Sequence, residues 1–343
     1  MSRPYRIILI LLCVAVLVGC PPQEPAGSPH AARKVQLKGA GATYPGPIYQ
    51  DWIETYVNQS KGSVRITYEQ VGSEEGVLLF RKQKVDFAGT DCSIKAEPNE
   101  LLIPAISGAI VPIYNVEGLN KTLRFTPKVL AGIFSGTIRQ WHDALIQEEN
   151  RGVPLPDHKI VIVHRSDGSG TTCVFSNFLA AAGGDWTGTP GFRVRWPQGS
   201  VGATSNDELA KTVRETADSI GYVEYNYAQE NNLDYGYVQN KAGQFVKAGI
   251  TTISAAVPDN IPEDPNRIMN SLLQVDSERA YPISSVTWLL VPKQSRSPEK
   301  REALVRFLNW AMEDGQVIAG RDGYARLPEP LVARAREDIK QIH

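Results

Sequence analysis

The richest chemistry in the chain lies in His164-Arg165-Ser166-Asp167-Gly168-Ser169-Gly170-Thr171-Thr172. This stretch joins a β-branched run, Ile160-Val161-Ile162-Val163, to an apolar segment carrying Val174, Phe178 and Leu179. A guanidinium, several hydroxyls and the unpaired N–H groups of a helix start therefore meet at one strand–loop–helix junction. Such N–H groups and the helix dipole favour an anion, and Arg165 can grip two oxygens of an oxyanion at once. Asp167, two residues on, can hold that guanidinium in place. A solvated turn of small polar residues is the plainer alternative. Ser169 could also be a nucleophile, but Asp167 and Thr171 stand where G-x-S-x-G requires glycines. His164 ends the strand, and no second motif completes a triad. His30, His142, His158 and His343 have no ligand spacing, and no cysteine pair forms a metal motif. No cofactor and no metal are expected.

Two further segments could join this one. Gly39-Ala40-Gly41-Ala42-Thr43-Tyr44-Pro45-Gly46-Pro47 follows a short strand candidate, Val35–Leu37, and opens a helix. Glycines let backbone approach a ligand closely. The segment lacks the third glycine of a dinucleotide loop, and Pro47-Ile48 replaces the Lys-Ser/Thr of a phosphate-binding P-loop. A tight turn explains it equally well. In Val85-Asp86-Phe87-Ala88-Gly89-Thr90-Asp91-Cys92, Asp91 ends a short strand. An isolated aspartate there reads either as a cap for a helix over Ser93–Asn99 or as a ligand group. Ser73, after Gly72, is similarly an N-cap for a Glu74–Lys82 helix or a hydroxyl donor.

The elements that must position these residues alternate between strands and helices. Ile48, Trp52, Ile53 and Tyr56 fall at helical spacing behind Pro47. Val64, Ile66 and Tyr68 alternate as in a half-buried strand. Thr126-Pro127, Ser205 with Glu208, and Ser297-Pro298 are helix starts. The pattern predicts an α/β protein with mainly parallel sheets and ligands at the carboxyl ends of strands.

With 36 Lys+Arg against 37 Asp+Glu in 343 residues, nothing marks a nucleic-acid groove or a polybasic membrane patch. Arg3 and Arg6 precede an apolar run, Ile7–Val18, too short to span a bilayer and typical of a secretory signal. It ends in Leu17-Val18-Gly19-Cys20, which resembles a bacterial lipobox. The expectation is a signal peptide over 1–19, lipid on Cys20, and a Pro- and Ala-rich tether over 20–34. Beyond the signal, Cys92 and Cys173 remain. They could pair in an oxidising compartment, but two separate buried thiols are expected.

Taken in order, GAGATYP, the Gly72-Ser73 turn, VDFAGTD, RSDGSGTT, IGYVEYNYA (220–228) and YPISSVTWLLVPK (281–293) resemble the high-affinity phosphate-binding proteins of bacterial Pst-type ABC transporters. The resemblance covers nearly all of the mature chain. It implies a type II periplasmic-binding-protein fold: two α/β lobes joined by crossing strands, with dehydrated phosphate in the cleft. Lobe I would be 35–113 plus 284–343, and lobe II 114–283. The resemblance further implies that Thr43, the N–H of Tyr44 and Ser73 donate from the first lobe. Asp91 would accept a proton from phosphate, and Arg165, Asp167, Ser169, Gly170 and Thr171 would form the second-lobe cluster. Glu74 and Glu75 depart from the small residues usual after Ser73 and add negative charge near an anion cleft.

Phosphate near neutral pH carries a proton and sulfate does not, so a buried acceptor would reward the first. Sites built around one such hydrogen bond reject the analogue lacking it by about 10⁴–10⁵. The expected protein is a monomeric, non-enzymatic lipoprotein at the cell surface or in the periplasm, delivering inorganic phosphate to inner-membrane ABC permease subunits. A binder of sulfate or molybdate, and a phosphoester hydrolase using Ser169, are the rivals. A disulfide between Cys92 and Cys173, just beyond binding residues of opposite lobes, would hinder opening; hence the expectation of separate thiols.

Overall fold

The computed structural model describes residues 34–343 apart from 120, 185, 258–261, 263, 265, 266, 269–271, 274 and 296. The signal segment, Cys20 and the tether up to residue 33 lie outside the described residues. Strands β1 (Val35–Gly41), β2 (Val64–Gln70), β3 (Phe87–Thr90), β4 (Glu100–Asn115), β5 (Arg124–Phe125) and β6 (Val161–Arg165) come first. They are followed by β7 (Val201–Ala203), β8 (Ser219–Glu224), β9 (Tyr237–Gln239), β10 (Phe245–Val246) and β11 (Ser284–Pro292). The main sheet runs β2-β1-β3-β11-β4-β8-β6-β7, and a small one runs β10-β9-β5.

In the main sheet, the expected parallel pairing is confined to the two wings, β2-β1-β3 and β8-β6-β7. The three central pairings, β3-β11, β11-β4 and β4-β8, are antiparallel. The reason is β4. This 16-residue strand pairs with β11 over Glu100–Ala109 and with β8 over Ile110–Asn115. It is apolar almost throughout and buried from Ile103 to Tyr114, as a strand covered on both faces must be. Pro104 is tolerated beside a β-bulge, where the register shifts at Thr287/Trp288 and a missing donor costs least. These long strands join two α/β lobes.

Each wing carries its own core. One cluster gathers Leu37, Trp52, Phe87, Trp288 and Phe307; the other gathers Phe134, Trp141, Phe175 and Tyr222. The helices are α1 (Gly46–Gln59), α2 (Ser73–Arg81), α3 (Pro127–Ser135), α4 (Ala144–Glu149), α5 (Gly170–Ala182), α6 (Asn206–Glu215) and α7 (Tyr225–Glu230); α1, α2, α3, α5 and α6 start where the sequence predicts or within a residue or two. Thr126 accepts from the Val129 N–H at 3.1 Å and Ser205 from the Glu208 N–H at 3.0 Å. The last capping signal, Ser297, opens a helix over Pro298–Trp310.

Two local readings change. Residues 93–99 form no helix, so Asp91 caps none. The cap of α2 is Gly72, at φ +89°, and Ser73 is the first helical residue. A Cβ on Gly72 would stand 2.6 Å from Asp167 Oδ2, so both the left-handed backbone and the close approach call for glycine.

The separate thiols expected at Cys92 and Cys173 are instead one disulfide, with Cα atoms 5.8 Å apart. The end of β3 and the first turn of α5 converge on the same place, which brings residues 81 apart in sequence within disulfide reach. The link ties together elements of the two wings. Alkylation of the unreduced native protein should therefore leave both residues unlabelled. Replacing both by serine should lower unfolding free energy by about 2–4 kcal/mol; free labelling of the two thiols in native protein would contradict the pairing.

Candidate anion-binding site

The loop after β6 is held from below before it can hold anything. Tyr222 of β8 stacks on Phe175 of α5, with ring centroids 4.4 Å apart. Its hydroxyl bonds to Thr172 Oγ1 at 2.6 Å and accepts from the Arg165 N–H at 3.2 Å. Ser169 caps α5, its Oγ accepting from the Thr172 N–H at 3.1 Å. Arg165, only 3 % exposed, donates through Nε and Nη2 to Asp167 at 2.7 and 2.5 Å. The carboxylate thus fixes the guanidinium plane, and the third nitrogen, Nη1, is buried without a partner among the described residues.

The first wing supplies the opposing wall. Asp91, 1 % exposed, directly follows β3, and its N–H donates to Ser73 Oγ at 3.3 Å. Its Oδ1 is buried without a partner among the described residues. A Cβ placed on Gly170 would lie 2.3 Å from Ser73 Oγ and 2.7 Å from Asp91 Oδ2. The start of α5 therefore abuts both residues. Gly41, at φ +141°, lets the ends of β1 and β3 touch and turns the chain into Thr43 and Tyr44; a Cβ there would meet Gly89 O at 2.2 Å.

Thr43 is fully enclosed. Its carbonyl accepts from the Tyr227 hydroxyl at 2.6 Å, and its Oγ1 accepts from Asn206 Nδ2 at 3.0 Å. The same Nδ2 donates to Thr171 Oγ1 at 3.2 Å. The Tyr44 side chain is buried with its hydroxyl against Gly108 of β4.

Contacts thus link Thr43 to Thr171 through Asn206, Ser73 to Asp91, and Arg165 to Asp167, with Gly170 abutting Ser73 and Asp91. The two glutamates are accounted for. Glu74 accepts from Arg193 Nε at 2.6 Å, while its N–H donates to Gly168 O at 3.0 Å across the cleft; Glu75 is exposed. Asn206, Tyr222, Tyr227 and Arg193 escaped the sequence reading. Tyr222 and Tyr227 lie inside the IGYVEYNYA motif, which was noted without a role. Asn206 follows the capping Ser205 and read only as helix start. His164 is stacked on Trp196, and its Nδ1 lies 3.0 Å from Arg165 O. Burial lowers its pKa. Among the described residues, no three His, Cys, Asp or Glu side chains could hold a metal ion, and no helix could cross a membrane.

Electrostatically the region is divided. Burial pushes the Asp91 carboxyl up to about 8; Arg165 and the Ser73 hydroxyl pull it back only in part. Glu224, at the end of β8, is raised well above the ordinary range by the same desolvation. Its carboxylate is occupied by the Asn226 N–H at 2.8 Å. Thus a guanidinium with an unused donor and a carboxyl with an unpaired oxygen are both buried within electrostatic range of one another.

A family model described as the PBP superfamily domain matches residues 26–314. A phosphate-binding protein PstS from Xylella fastidiosa is 35% identical over 348 residues, covering 94% of each chain. Another from Pasteurella multocida is 35% identical over 311 residues, 89% of this chain and 90% of that one. This chain belongs to the PstS family of the PBP superfamily. The family's fold is seen in a high-affinity periplasmic phosphate-binding protein solved with phosphate bound. That structure superposes with a TM-score of 0.70 at 21% identity, covering 88% of this chain and 93% of that one. The Stenotrophomonas maltophilia phosphate-binding protein gives 0.64 at 18%, with the same coverage.

The Asp91 shift has a testable sign. The unfolded carboxyl titrates near its ordinary value, about 3.9, and the folded one at about 8. The neutral carboxyl's contribution is complete below the lower value and is lost as pH rises through the upper one. Asp91→Asn should therefore match the ligand-free wild type in thermal stability near pH 4. It should then gain on it up to about pH 8, by on the order of 5 °C. A difference that does not change with pH would show that Asp91 stays hydrated.

Proposed function

We propose that this protein captures inorganic phosphate outside the cytoplasm and hands it to an ABC permease for import. One observation carries the reading: Arg165 Nη1 and Asp91 Oδ1 are both buried with unused hydrogen-bonding capacity at the same place. Leaving either unmet costs about 1–3 kcal/mol or more. A ligand that satisfies both must offer bare oxygens to the guanidinium and a proton to the carboxylate. Orthophosphate, a monohydrogen dianion above the Asp91 titration, does both. Sulfate offers only acceptors, so with sulfate Asp91 must bring the proton itself.

In this reading Thr43, the N–H of Tyr44, Ser73, Ser169, Gly170 and Thr171 surround the ion with neutral donors. Arg165, oriented by Asp167, supplies the one cation. The relatives' names, phosphate-binding protein PstS, agree with this ligand. The lobes are 35–113 with 284–343, and 114–283, with Ile268 and Leu272 packing into the first lobe's core. The protein performs no chemistry of its own: the Ser169 oxygen accepts the α5 cap bond and its one hydrogen is left for the ion. Closure over the ion creates the surface that the permease reads, the ligand favouring the closed state through its contacts with both walls. The lipobox-like Leu17–Cys20 supports cleavage before Cys20 and anchoring by its lipid.

Calorimetric titration at pH 9, above the Asp91 titration, separates the two ions. Wild type should bind phosphate and discriminate against sulfate by about 10⁴ or more. Asp91→Asn should cut that ratio at least about a hundredfold, and an unchanged ratio would remove Asp91 from selectivity. Separately, Cys20→Ala should move the protein from the membrane fraction to the soluble one; membrane retention would refute the anchor.

A further inference from the structure

Asn206 has no assigned part in the site, yet its side chain is fully buried between two of the proposed donors. We infer that Asn206 sets the direction in which the Thr43 and Thr171 hydroxyls donate, making it a positioning residue for oxyanion capture. This rests on the phosphate reading above.

The amide orientation follows from its partners. Oδ1 of Asn206 accepts from the Glu224 N–H at 3.3 Å, which directs Nδ2 the other way. Nδ2 carries two hydrogens and no acceptor lone pair. It meets Thr43 Oγ1 at 3.0 Å and Thr171 Oγ1 at 3.2 Å. In both contacts the amide can only donate, so both hydroxyls accept. A threonine hydroxyl owns a single hydrogen, and here that hydrogen is left for another partner.

An oxyanion needs donors on nearly all its oxygens. A free hydroxyl turns between donating and accepting, and ligand binding must first choose. Asn206 makes that choice before the ion arrives, which is preorganisation of the kind that cuts the cost of binding. It serves both walls at once. Thr43 follows β1, Thr171 lies in the first turn of α5, and Asn206 opens α6 behind the Ser205 cap. The bond to Thr43 thus joins the two walls, and changes at a binding contact of this kind fall mostly on the dissociation rate.

A mere space-filling role predicts something different. Asn206→Ala would then cost the same whether or not the hydroxyls are present. The test measures phosphate affinity and stopped-flow release for wild type, Asn206→Ala, Thr43→Val/Thr171→Val, and the triple variant. Asn206→Ala should weaken phosphate binding about tenfold or more, the scale of one to two hydrogen bonds. Most of the change should lie in the release rate. In the background lacking both hydroxyls it should cost less than about threefold, since the residue then has nothing to orient. Equal costs in the two backgrounds, or wild-type affinity in Asn206→Ala, would overturn the inference while leaving the phosphate reading intact. Absence of phosphate binding by wild type would overturn that reading, and this inference with it. If Asn206→Ala does not fold, Asn206→Ser, too short to span both hydroxyls, is read by the same criteria.

Discussion

Everything in the cleft turns on a mismatch that the fold holds in place: a guanidinium and a carboxyl, both out of water, each with one polar atom unmatched by protein. Two such groups could simply pair with one another and be silent. Here Asp167 takes two nitrogens of Arg165, which leaves the third to point elsewhere, and Asp91 is kept as a separate acceptor. Desolvation makes the arrangement selective. In water either group would be satisfied cheaply; in the closed cleft each must be matched by whatever enters.

The rest of the molecule maintains that condition. β4 pairs with β11 along its first part and with β8 along its last, so one strand runs through both walls. Glycines at 41, 72 and 170 allow backbone where any side chain would block approach. Tyr222 anchors the Arg165 loop to the sheet. The Cys92–Cys173 bond, Glu74 with Arg193, Tyr227 on Thr43 and Asn206 between two threonines all join the walls around the same centre. The disulfide is the covalent member of this set, and it sits one residue from Asp91 and two from Thr171.

How much of this was legible in the sequence depended on the range of the interaction. The anion loop could be read from local chemistry, because Arg165, Asp167 and the α5 start are neighbours along the chain. Helix starts at Pro47, Thr126, Ser205 and Ser297 were legible for the same reason. Asp91 was not: locally it resembled a helix cap, and only family resemblance singled it out. Its distinction comes from burial against residues about 75 positions away, and no local pattern encodes that. The disulfide was misjudged because its two cysteines meet only through tertiary convergence. Asn206 was hidden by a stronger nearby signal, the Ser205 cap. The antiparallel centre of the sheet was missed because an apolar run does not declare its partner's direction.

The most direct test of the central claim is a high-resolution crystal structure of the purified protein grown with orthophosphate. The account predicts one ion between the walls, with Asp91 Oδ1 about 2.5–2.7 Å from one phosphate oxygen. Arg165 Nη1 should reach another oxygen of the same ion. An ion bound elsewhere, or bound here with Asp91 turned away from it, would contradict the account.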